Sequence, residues 1–255
     1  MNALRRNLIS LLLGGCLTAS AQAPSAGQTT PERQKRMMAL QPQPAPKDDP
    51  SFKPIFDGKV LDGWEGDPKH WLVENGALTG ETTAENPLKA NTFLIWRGGS
   101  PKDFELKLEY RLSAQGNSGV QYRSEAIPNR PFGLRGYQAD IDSEDRYTGQ
   151  IYEEGGRAFL ALRGQMTRIE TGSKMILGSL GDSAQLASLL KKQDWNEMHI
   201  IARGNTLIQI VNGQVMSVLI DDDAAGRRDE GAIGLQLHVG PAMKIEFRNI
   251  LLKRY

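Results

Sequence analysis

The sequence predicts an all-β protein of the β-sandwich or jelly-roll class. Short runs of alternating apolar and polar residues recur from Ser51 onward. They are separated by turn residues, with 27 Gly and 13 Pro among 255 residues, and only one stretch carries helical spacing. Strands that follow one another without intervening helices argue against βαβ units.

The clearest strand is Phe104 to Leu112. Phe104, Leu106, Leu108, Tyr110 and Leu112 alternate with Glu105, Lys107, Glu109 and Arg111, the period of a half-buried strand. Asn212-Gly213 separates the apolar runs 207–211 and 215–220. That pair accepts positive φ, so the segment predicts a tight hairpin with a type I′ turn. Further strands are expected near 71–78, 120–124, 137–141, 150–152, 198–202, 232–239 and 244–253. The single helix is expected at Ser183 to Lys192, where Leu186, Leu189 and Leu190 fall at helical spacing behind an Asp182/Ser183 cap.

Lys+Arg number 31 against 30 Asp+Glu. Without a basic excess or a clustered basic face the chain lacks the electrostatic footprint of a nucleic-acid binder. The one cysteine, Cys16, excludes an internal disulfide. It lies in residues 1–21, which read as an export signal: Arg5 and Arg6 precede the apolar stretch from Leu8 to Leu17, too short for a membrane span. Ala19-Ser20-Ala21 fits signal-peptidase cleavage, whereas Leu13-Gly14-Gly15-Cys16 resembles a lipobox that would place a lipid anchor on Cys16. Both processing readings stay open, and either puts the protein outside the cytoplasm: periplasmic, secreted or anchored at the outer membrane. Residues 22–50 hold six prolines and form a linker. The domain proper is 51–255.

Three strands carry unusual polar residues. If Val120, Tyr122, Tyr137, Ala139, Ile141, Ile233, Leu235 and Leu237 face the core, then Gln121, Arg123, Gln138, Asp140, Asp142, Gln236 and His238 share the other face. An ordinary solvated sheet face would carry Lys, Glu, Ser and Thr instead. Amides and carboxylates in fixed geometry suit sugar hydroxyls. Tyr152-Glu153-Glu154-Gly155-Gly156-Arg157 reads as a rim loop, with Tyr152 as a stacking ring and the acids as proton carriers or metal ligands. Asp221-Asp222-Asp223 lacks EF-hand spacing and reads as a turn. His70 and His199 read as structural.

Further motifs carry a resemblance. Phe56-Asp57-Gly58-Lys59 with Leu61-Asp62-Gly63-Trp64, then Trp71-Leu72-Val73-Glu74-Asn75-Gly76, Asp103-Phe104-Glu105-Leu106, Gly116-Asn117-Ser118-Gly119-Val120, Gly136-Tyr137-Gln138-Ala139-Asp140 and Phe247-Arg248-Asn249-Ile250 occur in this order. Together they resemble the 3-keto-disaccharide hydrolase domain family from about Pro54 to Tyr255. The resemblance implies a concanavalin A-like jelly roll with a carbohydrate cleft. It also implies action on sugars already oxidised at C3 by a separate dehydrogenase. A C3 ketone acidifies the C2 proton, so a base can abstract it and expel the C1 substituent, and water then adds back.

Such chemistry needs a base, an enolate stabiliser and an acid. Strand phase nominates His238 or Asp140 as base and Arg123 as enolate stabiliser or sugar clamp. Gln121, Gln138, Gln236, Tyr152 and Arg157 become substrate binders, and Glu153 or Glu154 the acid or the ligand of a divalent metal ion. Two rivals stay open: a lectin-like carbohydrate-binding module, which needs no base, and an ordinary endo-glycosidase working through Asp140 and Asp142.

Overall fold

A computed structural model describes residues 49–255. The expected export signal, Cys16 and nearly all of the expected linker lie outside the described residues. Seventeen strands follow one another: β1 Lys53–Pro54, β2 Trp64–Glu65, β3 Trp71–Glu74, β4 Ala77–Thr82, β5 Thr92–Trp96, β6 Phe104–Leu112, β7 Asn117–Ala126, β8 Leu134–Asp142, β9 Ile151–Glu154, β10 Ala158–Ala161, β11 Gln165–Glu170, β12 Ser173–Ser179, β13 Asn196–Arg203, β14 Thr206–Val211, β15 Gln214–Asp221, β16 Ala232–Leu237 and β17 Met243–Arg254. They form a ten-stranded sheet, β12-β11-β15-β14-β13-β6-β17-β4-β3 with β1 on β17, and a seven-stranded sheet, β10-β9-β8-β7-β16-β5-β2.

The predicted alternation closes the sandwich. On β6 every second residue from Phe104 to Leu112 is buried and the charged residues between are half-exposed. Those apolar residues share one core with Val120 and Tyr122 of β7, Tyr137, Ala139 and Ile141 of β8, and Leu235 and Leu237 of β16. Each fully buried side chain of this size contributes about 1.5–3 kcal/mol. The hairpin joining β14 to β15 turns at Asn212 (φ 50°) and Gly213 (φ 78°), as the type I′ signal requires.

The helix is shorter than expected, and β5 adds a strand the sequence reading did not include. The helix α1 spans only Ser183–Ala187, capped by the Asp182 carboxylate, which accepts from the amides of Ala184 and Gln185 at 3.0 and 2.9 Å. Leu186 is its one buried residue, and Asn212 Nδ2 donates to the Leu189 carbonyl at 2.9 Å, so the turn stops there. β5 went unpredicted because Thr92-Phe93-Leu94-Ile95-Trp96 has no alternation. Both faces of β5 are covered: Leu94 and Trp96 enter the main core, whereas Phe93 and Ile95 pack with Leu134 in a small second cluster on the opposite face.

Candidate functional site

The second face of the seven-stranded sheet carries the site. Tyr137, Ala139 and Ile141 on β8 point into the core, which sends Gln138, Asp140 and Asp142 the other way. β16 repeats the pattern: Leu235 and Leu237 point inward, while Gln236 pairs with Phe93 of the outer cluster and His238 follows just beyond the strand. β9 adds Tyr152 and Glu154. All of these outward side chains except Asp142 line an open pocket of about 260 Å³. The structure thus brings together six of the residues nominated from sequence: Gln138, Asp140, Tyr152, Glu154, Gln236 and His238.

A directed chain of hydrogen bonds runs across the sheet into this pocket. Ser124 Oγ donates to Gln121 Oε1. Gln121 Nε2 donates to Gln138 Oε1 at 3.1 Å, and Gln138 Nε2 donates to Asp140 Oδ1 at 2.8 Å. Gly119 makes the crossing feasible, since a Cβ there would stand 2.6 Å from Gln138 Cδ and Cγ. Gln236 Oε1 takes a longer contact from Gln138 Nε2 at 3.5 Å. Gln236 Nε2 has no partner although the residue is fully buried. A buried amide donor left open at a pocket wall is a place for a ligand acceptor.

Asp140 is 5% exposed. Burial pushes its carboxyl up to about 8, aided by the negative charges of Asp142 and Glu154 and opposed by the Gln138 hydrogen bond. At neutral pH it is therefore largely protonated, a neutral acid. His238 Nδ1 lies 2.5 Å from the Val239 carbonyl. A carbonyl only accepts, so Nδ1 carries the proton and, in the neutral ring, Nε2 presents its lone pair.

Burial and the neighbouring carboxylates Glu154 and Asp140 raise the Tyr152 phenol, which stays a neutral donor. Asn91 ties the rim together: its Nδ2 donates to Glu154 Oε1 at 3.3 Å and its Oδ1 accepts from the Val239 amide at 3.0 Å.

Sequence reasoning missed four lining residues, Asn117, Tyr147, Ala158 and Phe159. Phe159 meets Tyr152 edge-on at 5.1 Å and stacks on Tyr147 at 5.8 Å, so the three rings form one aromatic wall. Asn117 stood inside a recognised motif without a role. Tyr147 carries no local signal, because a loop puts it there. Asp142 builds that loop, accepting from the backbone amides of Arg146, Tyr147 and Thr148 at 2.9, 2.8 and 2.9 Å.

Four nominated residues stand elsewhere. Arg123 breaks the expected phase. The β7–β8 register shifts between Tyr122 and Glu125, and Arg123 adopts φ 46°. Its guanidinium instead donates to the carbonyls of Lys102 (2.9 Å), Gly204 (2.7 Å) and Arg228 (3.3 Å) and to Asp103 Oδ1 (3.2 Å). It bolts the two sheets together and does not line the pocket.

Glu153 alternates inward with Ile151 and is 2% exposed. There it joins Arg157, whose guanidinium also chelates Asp221 (2.7 and 3.0 Å) and reaches Asp223 (3.3 Å). Arg157 is thus held by carboxylates outside the pocket, and two members of the Asp221-Asp222-Asp223 run are its counter-ions. Gln121 shares the right face but is fully buried and reaches the pocket only through Gln138. Glu153 and Glu154 point to opposite faces and cannot share a metal ion. Among the described residues no three His, Cys, Asp or Glu side chains assemble as metal ligands.

Comparison with known proteins agrees with this architecture. The family model described as 3-keto-alpha-glucoside-1,2-lyase-like domain matches residues 51–253. A curated 3-keto-disaccharide hydrolase of Bacteroides thetaiotaomicron is 32% identical over 92 residues, a stretch spanning 33% of this chain and 31% of the relative. The match therefore covers about a third of either protein. A crystal structure of a candidate glycosyl hydrolase from Parabacteroides distasonis superposes with TM-score 0.52 at 22% identity, over 80% of this chain and 99% of that one. A Bacillus subtilis protein of galectin-like fold gives 0.51 at 12% identity, over 76% and 90%. At these identities the two structures speak to the fold alone. Among the described residues no helix is long and apolar enough to cross a membrane.

Proposed function

The chain belongs to the 3-keto-alpha-glucoside-1,2-lyase-like domain family, and from that membership we propose that it cleaves 3-keto-glycosides, 3-keto-disaccharides among them, by elimination and hydration. One observation carries the reading. A buried carboxyl that is largely protonated at neutral pH shares a pocket with an imidazole whose Nε2 is free and with an amide donor lacking a partner.

The division of labour follows from those states. His238 Nε2 takes the C2 proton, and the C2–H electron pair moves toward the C3 oxygen. The Asp140 hydroxyl and Gln236 Nε2 donate to that oxygen as it becomes an enolate, the use to which a carboxyl held neutral is suited. The enolate reforms the ketone, forms the C1–C2 double bond and breaks the C1–O bond. The imidazolium returns its proton to the departing oxygen. Water then adds its oxygen to C1 and a proton to C2, so the net change is hydrolysis. Glu154, Tyr152 and the aromatic wall hold the ring.

The two-carboxylate glycosidase reading is disfavoured by Asp142, whose Oδ1 and Oδ2 are engaged by the loop it caps. The substrate must come from a separate dehydrogenase acting at C3. The export signal and the candidate anchor at Cys16 put this activity outside the cytoplasm.

The test offers the mature protein a 3-keto-β-glucoside, a 3-keto-disaccharide and their unoxidised parents, with and without EDTA, and follows release of the C1 substituent. Cleavage confined to the keto sugars is expected, and His238→Ala should lower kcat about 10²–10⁴-fold. Equal cleavage of the parents would sink the elimination. Binding without cleavage would hand the site to the lectin-like reading.

A further inference from the structure

We propose that the C1 leaving group occupies a second cavity on the other side of His238, and that the loop 143–148 sets how large a leaving group the protein accepts. The proposal rests on the elimination reading and extends it. This cavity measures about 570 Å³ and shares Asn117, Tyr147 and His238 with the smaller pocket as a common wall. No step of the reaction uses its remaining lining.

Size distinguishes the two. Pockets that enclose a whole ligand run about 300–1,000 Å³. The smaller pocket falls just below that window and suits a single ring; the second falls inside it.

Chemistry fixes the direction of binding. The buried groups an enolate requires, Asp140 and the open Nε2 of Gln236, line only the smaller pocket. The second presents Glu144 and Arg146 instead, paired at 3.0 Å with side chains 65% and 61% exposed. A wet, charged rim of this kind suits a second sugar ring with many hydroxyls, bound partly through water. A substrate laid across both cavities would place its C1–O bond at the shared wall, where a proton on His238 Nε2 can meet the departing oxygen.

The loop is built to be rigid. Asp142 holds it from within through three backbone amides. Arg163, itself 8% exposed, holds it from below, donating to the carbonyls of Asp145 (2.8 Å), Thr148 (2.7 Å) and Ser183 (2.9 Å). Arg163 is on this account a positioning residue.

The experiment compares kcat/KM of the mature protein on a 3-keto-disaccharide and on methyl 3-keto-glucoside, whose leaving group is too small to need the second cavity. Gln115 is exposed and lines only that cavity of the two. Gln115→Trp should lower kcat/KM on the disaccharide about tenfold or more and leave the methyl glycoside within about twofold. Arg146→Ala should raise KM on the disaccharide alone. The methyl glycoside doubles as the check on folding. Equal losses on both substrates in both variants, or no loss on either, would overturn the leaving-group cavity while sparing the elimination. Wild-type protein inert toward both keto sugars would overturn the two readings together.

Discussion

Each side of the seven-stranded sheet meets a cluster of buried polar side chains, and the two clusters have opposite fates. On its inner side Glu153, Arg157, Asp221, Asp223 and Arg228 meet in a network closed by Tyr137, whose hydroxyl donates to Asp221 Oδ2 at 2.5 Å. There charge answers charge. On its outer side Gln138, Asp140, Gln236 and His238 face a pocket with a donor unspent and a carboxyl held above its ordinary range. Saturated polar networks specify and rigidify a fold, and an unpaired donor on a residue that lines a pocket is a contact a ligand can complete. The sequence places the outer set on one face by strand phase and gives Glu153, Arg157 and the Asp221-Asp222-Asp223 run as a rim loop and a turn, and neither pattern tells which set closes on itself.

The sharpest way to break the comparison is to open the closed cluster. Arg157→Ala leaves Asp221 and Glu153 buried without their shared partner. It should cost about 3–5 kcal/mol in denaturant unfolding, while protein that remains folded keeps its kcat on a 3-keto-glucoside. A loss below about 1 kcal/mol would show that the cluster is not the brace described.

Next comes the open cluster's acid. Asp140→Asn should lower kcat about 10²-fold yet stabilise the fold at high pH. Because the folded-state carboxyl is pushed up from 3.8 to about 8, the native state binds the extra proton and wild-type stability falls as pH rises through that interval. The Asn variant lacks this slope. It should exceed wild type by more than about 1.4 kcal/mol at pH 9, the worth of one pH unit of displacement. At pH 4 that advantage should have nearly vanished, and parallel stability curves would contradict the assignment. Wild-type kcat should decline in parallel as pH passes about 8.

The smallest effect concerns the unspent donor. Gln236→Met removes an amide that the free protein leaves unsatisfied. kcat/KM for the keto sugar should fall about tenfold, roughly 1.4 kcal/mol, with thermal stability unchanged or improved. A variant that loses stability instead would mean that Gln236 is structural.

Much of this was legible in the residues. The alternation of β6, the Asn212-Gly213 turn and the phase of β8 and β16 are local, and each placed its side chains correctly. Arg123 escaped because a register shift and a positive φ between Tyr122 and Glu125 end the two-residue period, and nothing in Tyr122-Arg123-Ser124 announces them. Glu153 was left undecided against Glu154 because β9 is four residues long, too short for alternation to declare itself. Tyr147 and Phe159 depend on a loop and a neighbouring strand folding over the sheet, which is tertiary information.

The hydrogen bonds from Ser124 through Gln121 and Gln138 have one further consequence. In water the two oxygens of an aspartic acid are interchangeable, and its proton visits either. Here Oδ1 of Asp140 receives a donor from Gln138 Nε2, the last in the row that runs from Ser124 through Gln121. The proton is left to Oδ2. Symmetry at the reacting group is thus broken by the side chains beside it, and a flip of the Gln138 amide alone would set donor against donor at Gln121 Nε2.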